Sequence, residues 1–137
     1  MNHTHYLQLA ALLHVGLLYA GLTMPRAVNL RQHLTALPPF IRRLFWVYYT
    51  FIGSCLVGFG ALTWLAAAPM AAGEPVARAL AAFFAVFWSL RLLAGTFILN
   101  ERPYLTNWFY RIGFVALNLV FVYLTIIYAW TALKGAL

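Results

Sequence analysis

The sequence contains no aspartate, only two glutamates (Glu74 and Glu101), one lysine and one cysteine. Two acids in separate loops cannot form the paired carboxylates of general acid–base chemistry, and Glu101 has no companion acid, serine or histidine at motif spacing. A lone Cys55 excludes an intrachain disulfide and a cysteine cluster for zinc, and within its apolar run it reads as a small packing residue. Only 8% of the residues are charged, where soluble domains carry about 25%.

What remains is apolar. Of the 137 residues, 65% are hydrophobic. That length is enough for one compact unit, and a water-soluble unit of this size could not bury so much apolar surface. Lipid must therefore be the solvent for much of the chain. The formal net charge of +7 comes largely from eight arginines. They sit in short segments between long apolar runs, a pattern of membrane topology and lipid headgroups rather than of nucleic-acid binding. Arginine in preference to lysine, with abundant alanine and leucine, points to a GC-rich bacterial gene.

Four runs are long enough to cross a hydrocarbon core of about 30 Å, which takes about 20 helical residues. They extend from about Tyr6 to Met24, Leu44 to Ala68, Val76 to Leu99 and Trp108 to Leu133. No water is available in lipid for unpaired backbone groups, so each run should be helical. Trp46 and Trp64 stand 18 residues apart, about 27 Å of helix. Trp108 and Trp130 stand 22 apart, about 33 Å. Each pair brackets one bilayer core, as interfacial indoles do. Trp88 is the exception, in mid-span. Pro25, Pro38-Pro39, Pro69, Pro75 and Pro103 fall where loops are expected. The first run lacks a basic segment before it and a small-residue cleavage site after it, so it reads as a retained helix rather than a signal peptide.

The first loop carries Arg26, Arg31, Arg42 and Arg43, and the third carries Arg102 and Arg111. The other side has only Arg78 and Lys134. This imbalance places the first and third loops in the cytoplasm and both termini outside. Between Arg26 and Leu37 the apolar residues Ala27, Leu30, Leu34 and Leu37 recur at helical spacing, with Arg26, Asn29 and His33 on another side. The segment reads as a short amphipathic helix in the interface or capping the bundle. Arg26, Arg31, His33, Arg42, Arg43 and Arg102 together form a cytoplasmic patch suited to anionic lipid or a partner.

Inside the spans, polar residues are few. Arg91 lies about nine residues from the cytoplasmic end of the third span, about 13 Å deep. A charge at that depth faces protein or water. A hairpin around Tyr104-Leu105 puts Arg91 level with Asn118, and a contact between them is expected; snorkelling to the headgroups is the plainer alternative. His14 is central in the first span. A bis-histidine haem would need a second axial ligand, and the other three spans contain no histidine, so a hydrogen-bonded packing role is expected. His3 and His5, at the outer N-terminus, are too few for a metal site. Ser54-x-x-x-Gly58 permits close helix approach. Tyr48, Tyr49 and Thr50 place hydroxyls near the cytoplasmic interface.

Length, helix count and outside termini are similar to those of the small glutathione-transferase-like membrane enzymes, the MAPEG group. Their helical motif is R-x-x-x-N-x-x-E-x-x-P. Asn100-Glu101-Arg102-Pro103 has similar letters at a different spacing and place, so no functional residue carries over. Small multidrug exporters also have four short spans, with an acid in the first, where this chain has His14. The segments Leu44-Phe45-Trp46-Val47-Tyr48-Tyr49, Arg102-Pro103-Tyr104-Leu105-Thr106 and Tyr123-Leu124-Thr125-Ile126-Ile127-Tyr128-Ala129-Trp130 resemble small bacterial four-span proteins of no assigned activity. That resemblance implies a fold and no reaction.

The expectation is an all-α polytopic membrane protein over residues 1–137: a four-transmembrane-helix bundle with a short cytoplasmic amphipathic helix in the first loop. The leading role is an accessory or scaffold subunit of a bacterial inner-membrane assembly, without a cofactor. Its partners are the bilayer, anionic headgroups, and other membrane subunits or further copies of the chain. One alternative is a small membrane enzyme or carrier with a cytoplasm-facing pocket lined by Arg91, Asn118, Tyr48 and Tyr49. Another is a haem- or quinone-associated redox subunit using His14.

Overall fold

The computed structural model of the chain describes residues 2–134, and among them every regular element is helical. Helix α1 spans His3–Ala27, α2 Leu30–Thr35, α3 Pro39–Leu65, α4 Ala67–Ala72, α5 Pro75–Phe97 and α6 Trp108–Lys134. A 3-10 turn, Arg102–Tyr104, lies between the last two. Four of the helices, α1, α3, α5 and α6, are long and apolar enough to cross a membrane, as in a multi-pass membrane protein.

Local chemistry sets the helix ends. The Asn2 side chain accepts from the His5 amide at 3.2 Å and caps α1. Asn107 does the same for the Tyr110 amide at 2.9 Å, opening α6. Proline stands in the first turn of α3 and α5, where its missing N–H would have no partner in any case. Helix α4 closes on Gly73 at φ 77°, with the Gly73 and Glu74 amides returning to Met70 and Pro69. This left-handed stop requires glycine.

The long helices depart from the expected spans by up to five residues, and two of the differences have a local cause. The second span was expected to reach Ala68, but α3 stops at Leu65 and α4 follows. Pro69 has no N–H for the Leu65 carbonyl, so the helix cannot run straight through. The amphipathic stretch expected from Arg26 to Leu37 is divided: Arg26 and Ala27 finish α1, and Asn29 turns the chain at φ 51° before α2. Asparagine tolerates this left-handed conformation better than most residues.

Pro25 sits inside α1, and its lack of an N–H leaves the Gly21 carbonyl without its usual partner four residues on. The Tyr49 hydroxyl of α3 donates to that carbonyl. No helix amide is left to pair with that carbonyl, so Tyr49 repairs a defect that Pro25 creates. Tyr49→Phe should therefore lower stability by about 1–2 kcal/mol. In a Pro25→Ala background, where the amide is restored, the same change should cost much less. Unfolding titrations of the four proteins of this cycle in mixed micelles measure the difference. Equal costs in both backgrounds would refute the pairing.

The long helices form two antiparallel hairpins, α1 with α3 and α5 with α6. The hairpins meet only near the end that holds His3, α4 and Lys134, here called the terminal end. Buried side chains recur at three- and four-residue spacing there: Leu7, Ala10, Ala11, His14 and Leu17 on α1; Ala77, Ala81, Phe84 and Trp88 on α5; Phe121, Leu124, Ile127, Tyr128 and Thr131 on α6. Toward the opposite end, which carries Arg26 through Arg43 and Arg102, Leu34 is the one buried side chain among the described residues. The chain exposes 9269 Å², where a compact monomer of its mass would expose about 7,200 Å². The two hairpins thus form a V, closed at the terminal end and open at the basic end.

Candidate functional site

The closed end of the V is held by one polar or aromatic group from each long helix. His14 of α1 and Trp88 of α5 are each 2% exposed. Their rings meet edge to face with centroids 5.3 Å apart. The hydroxyls of Thr63 on α3 and Tyr128 on α6 are hydrogen-bonded at 2.6 Å, and the Tyr128 ring lies 6.3 Å from His14. Phe59 fills the space between the hairpins, its ring 4.7 Å from Phe84 and 4.9 Å from Phe87. Further out, His3 is 2.8 Å from the Thr131 hydroxyl, and Tyr123 donates to the Tyr6 carbonyl at 2.8 Å. Thr131 spends its own hydrogen on the Ile127 carbonyl at 2.7 Å, so His3 Nε2 is the donor in that pair.

Glycine sets how closely α1 and α3 approach. A Cβ on Gly60 would lie 3.1 Å from His14 Cβ and 3.3 Å from the Ala11 carbonyl oxygen. A shallow apolar cleft of about 260 Å³ runs along the outer side of this contact, between Leu12, Val15, Val57 and Trp64.

The geometry fixes the His14 tautomer. Its Nδ1 is 2.8 Å from the Ala10 carbonyl and must donate, so Nε2 carries the lone pair. That lone pair is buried and unpartnered, as is the Trp88 indole N–H. An acceptor and a donor thus sit in neighbouring rings without meeting. Nε2 is also the atom a haem iron would take. It is enclosed by Phe59, Trp88 and Tyr128, which leave no room for a macrocycle, so the site does not fit haem. Among the described residues no group of three His, Cys, Asp or Glu side chains converges.

The residues considered for a pocket around Arg91 are divided between the arms of the V. Tyr48 is exposed on α3 and Tyr49 is bound to Gly21, both on the first hairpin. Arg91 and Asn118 are on the second. The contact expected between those two is not made: the Asn118 amide donates to its own helix at Phe114, 2.9 Å away. The Arg91 guanidinium instead lies 4.7 Å over the Phe121 ring, one turn further along α6. Phe121 stacks on Trp88 at 5.6 Å, and Trp88 meets His14. Arg91 therefore caps an aromatic column that ends at the histidine.

Of the basic patch, Arg26, Arg31, His33, Arg43 and Arg102 are exposed and Arg42 is half-buried. His33 Nδ1 donates to the Asn29 carbonyl at 3.0 Å, and Arg111 donates to the Leu105 carbonyl at 3.4 Å. All lie at the open end of the V.

Sequence reasoning overlooked Thr63, Trp88 and Tyr128 as parts of one polar centre. Trp88 carried a signal, being the one indole far from an interface. Thr63 and Tyr128 carried none, because their meeting depends on how the hairpins cross. No protein-family model matches the chain, and no curated protein or solved structure does so either.

Proposed function

We propose that this chain is a multi-pass protein of a bacterial cytoplasmic membrane, serving as an accessory or scaffold subunit of a larger assembly. The first and third loops face the cytoplasm and both termini face outward. The charge imbalance supports this orientation: six arginines border the open end of the V. The pieces Arg26–Ala27 and α2 lie along the cytoplasmic interface, with Leu34 tucked against the bundle.

One observation carries the accessory role. Helix α3 is the least covered span: none of its most apolar stretch is buried, against 28%, 17% and 22% for α1, α5 and α6. On it Ser54 is exposed and Gly58 half-buried, and a Cβ on Gly58 would meet nothing within 4 Å. Small residues on a bare span favour close approach by another membrane helix, since lipid provides no hydrophobic force and packing must supply the contact.

The single cysteine makes this testable. Cys55 is exposed, one turn from Gly58 on the same helix. Treating native membranes with a membrane-permeant bismaleimide should join Cys55 to another membrane protein or to a second copy of the chain. Gly58→Leu should cut the yield severalfold by holding the partner helix away. A monomeric chain after cross-linking, or a yield that Gly58→Leu leaves unchanged, would count against the accessory role.

A further inference from the structure

We propose that Arg91 is a binding site for the phosphate of an anionic phospholipid, seated between the two hairpins at the open end of the V. Arg91 continues the buried stripe of α5, one turn beyond Trp88, where the hairpins separate. It is six residues from Phe97, the last residue of α5, about 9 Å of helix. One face of its guanidinium rests on Phe121 at 4.7 Å. Among the described residues it donates no hydrogen bond to protein. A guanidinium has five donors in a fixed fork, and at membrane depth an uncompensated charge is costly. Arg91 is half-buried, so its free donors remain within reach of an anion from outside the bundle.

Gly95 leaves the space in which that guanidinium sits: a Cβ there would lie 3.0 Å from the Arg91 Nη1. The glycine thus lets the Arg91 side chain lie along α5 toward the basic end. Arg26, Arg42, Arg43, Arg102 and Arg111 belong to the segments at that end, with Glu101 as the one acid among them. Charge complementarity selects an anionic headgroup, and the apolar walls of the V accept its acyl chains. Arginine binds phosphate through two parallel N–H donors, which ammonium cannot reproduce.

The test uses the full chain in nanodiscs of phosphatidylcholine alone or mixed with phosphatidylglycerol, followed by native mass spectrometry. The wild-type protein should retain one phosphatidylglycerol in preference to phosphatidylcholine. Arg91→Gln should reduce that retention about tenfold or more, the equivalent of losing charge-assisted hydrogen bonds. Gly95→Leu keeps the cation but displaces it from its seat, and should reduce retention as well. Lys134→Gln, at the terminal end, removes an exposed cation far from Arg91 and should leave the retained lipid in place. Melting in phosphatidylcholine alone reports folding, and Arg91→Gln should remain folded there, losing only its contact with the Phe121 ring. Equal retention of the two lipids, unchanged retention in Arg91→Gln, or lipid-free protein held to a partner carrying an intramembrane acid would each overturn the proposal.

Discussion

Gly60→Leu is expected to be the most damaging single substitution in the chain, lowering stability by about 3 kcal/mol or more. The reason is geometric. The Cβ alone would come within 3.1 Å of His14 Cβ and 3.3 Å of the Ala11 carbonyl. Neither neighbour can yield: one is the root of a buried side chain and the other is backbone. The helices would have to separate, and His14 would leave its place against Trp88 and Tyr128. Gly58→Leu, two residues away and facing open space, should have little effect on folding. Unfolding midpoints in mixed micelles measure both, and similar losses for the two would contradict the close approach.

Tyr128→Ala should cost about 2–3 kcal/mol. Tyr128 is wholly buried and touches Phe84, His14 and Thr63. In lipid the water-transfer part of the usual penalty is absent, but the cavity part remains. A void on the order of 100 Å³, at about 24 cal/mol per Å³, gives this figure. Tyr128→Phe keeps the ring and loses only the hydroxyl pairing, so it should cost about 0.5–1.5 kcal/mol. Thr63→Val in the Tyr128→Phe background should then add little, because the partner is already gone. A full additional loss in that double variant would show that the two hydroxyls act separately.

The four spans were legible because apolar length is a local property. Each long helix occupies the run that the sequence marks, with shifts of a few residues at His3, Ala27, Pro39, Leu65 and Phe97. The hairpin of the third and fourth spans was also legible, from the short loop joining them. Its register was not. The loop turns through Arg102–Tyr104 before α6 begins at Trp108, which brings Phe121 rather than Asn118 under Arg91. Hydropathy carries no information about such a path. The Tyr49–Gly21 contact had a readable signal that went unused: Pro25 within a span frees the Gly21 carbonyl. Which hydroxyl satisfies it depends on the crossing of α1 and α3, which Gly60 decides.

The V itself changes where interest lies. The basic end, with its arginines and tyrosines, looked the richer half in the sequence. The structure puts the packed polar centre of His14, Thr63, Trp88 and Tyr128 at the other end, holding the hairpins together. The basic end is the open one, with Arg91 at its floor and an uncovered α3 along its side.

Labelling of single cysteines in spheroplasts tests the central claim, a four-span protein with its arginine-rich loops inside, most directly. In a Cys55→Ser background, Ala72→Cys at the end of α4 and Gln32→Cys in α2 are both exposed positions. The account predicts that a membrane-impermeant maleimide labels Ala72→Cys in intact spheroplasts and Gln32→Cys only after permeabilisation. Labelling of Gln32→Cys in intact spheroplasts, or equal labelling of both positions before permeabilisation, would contradict it.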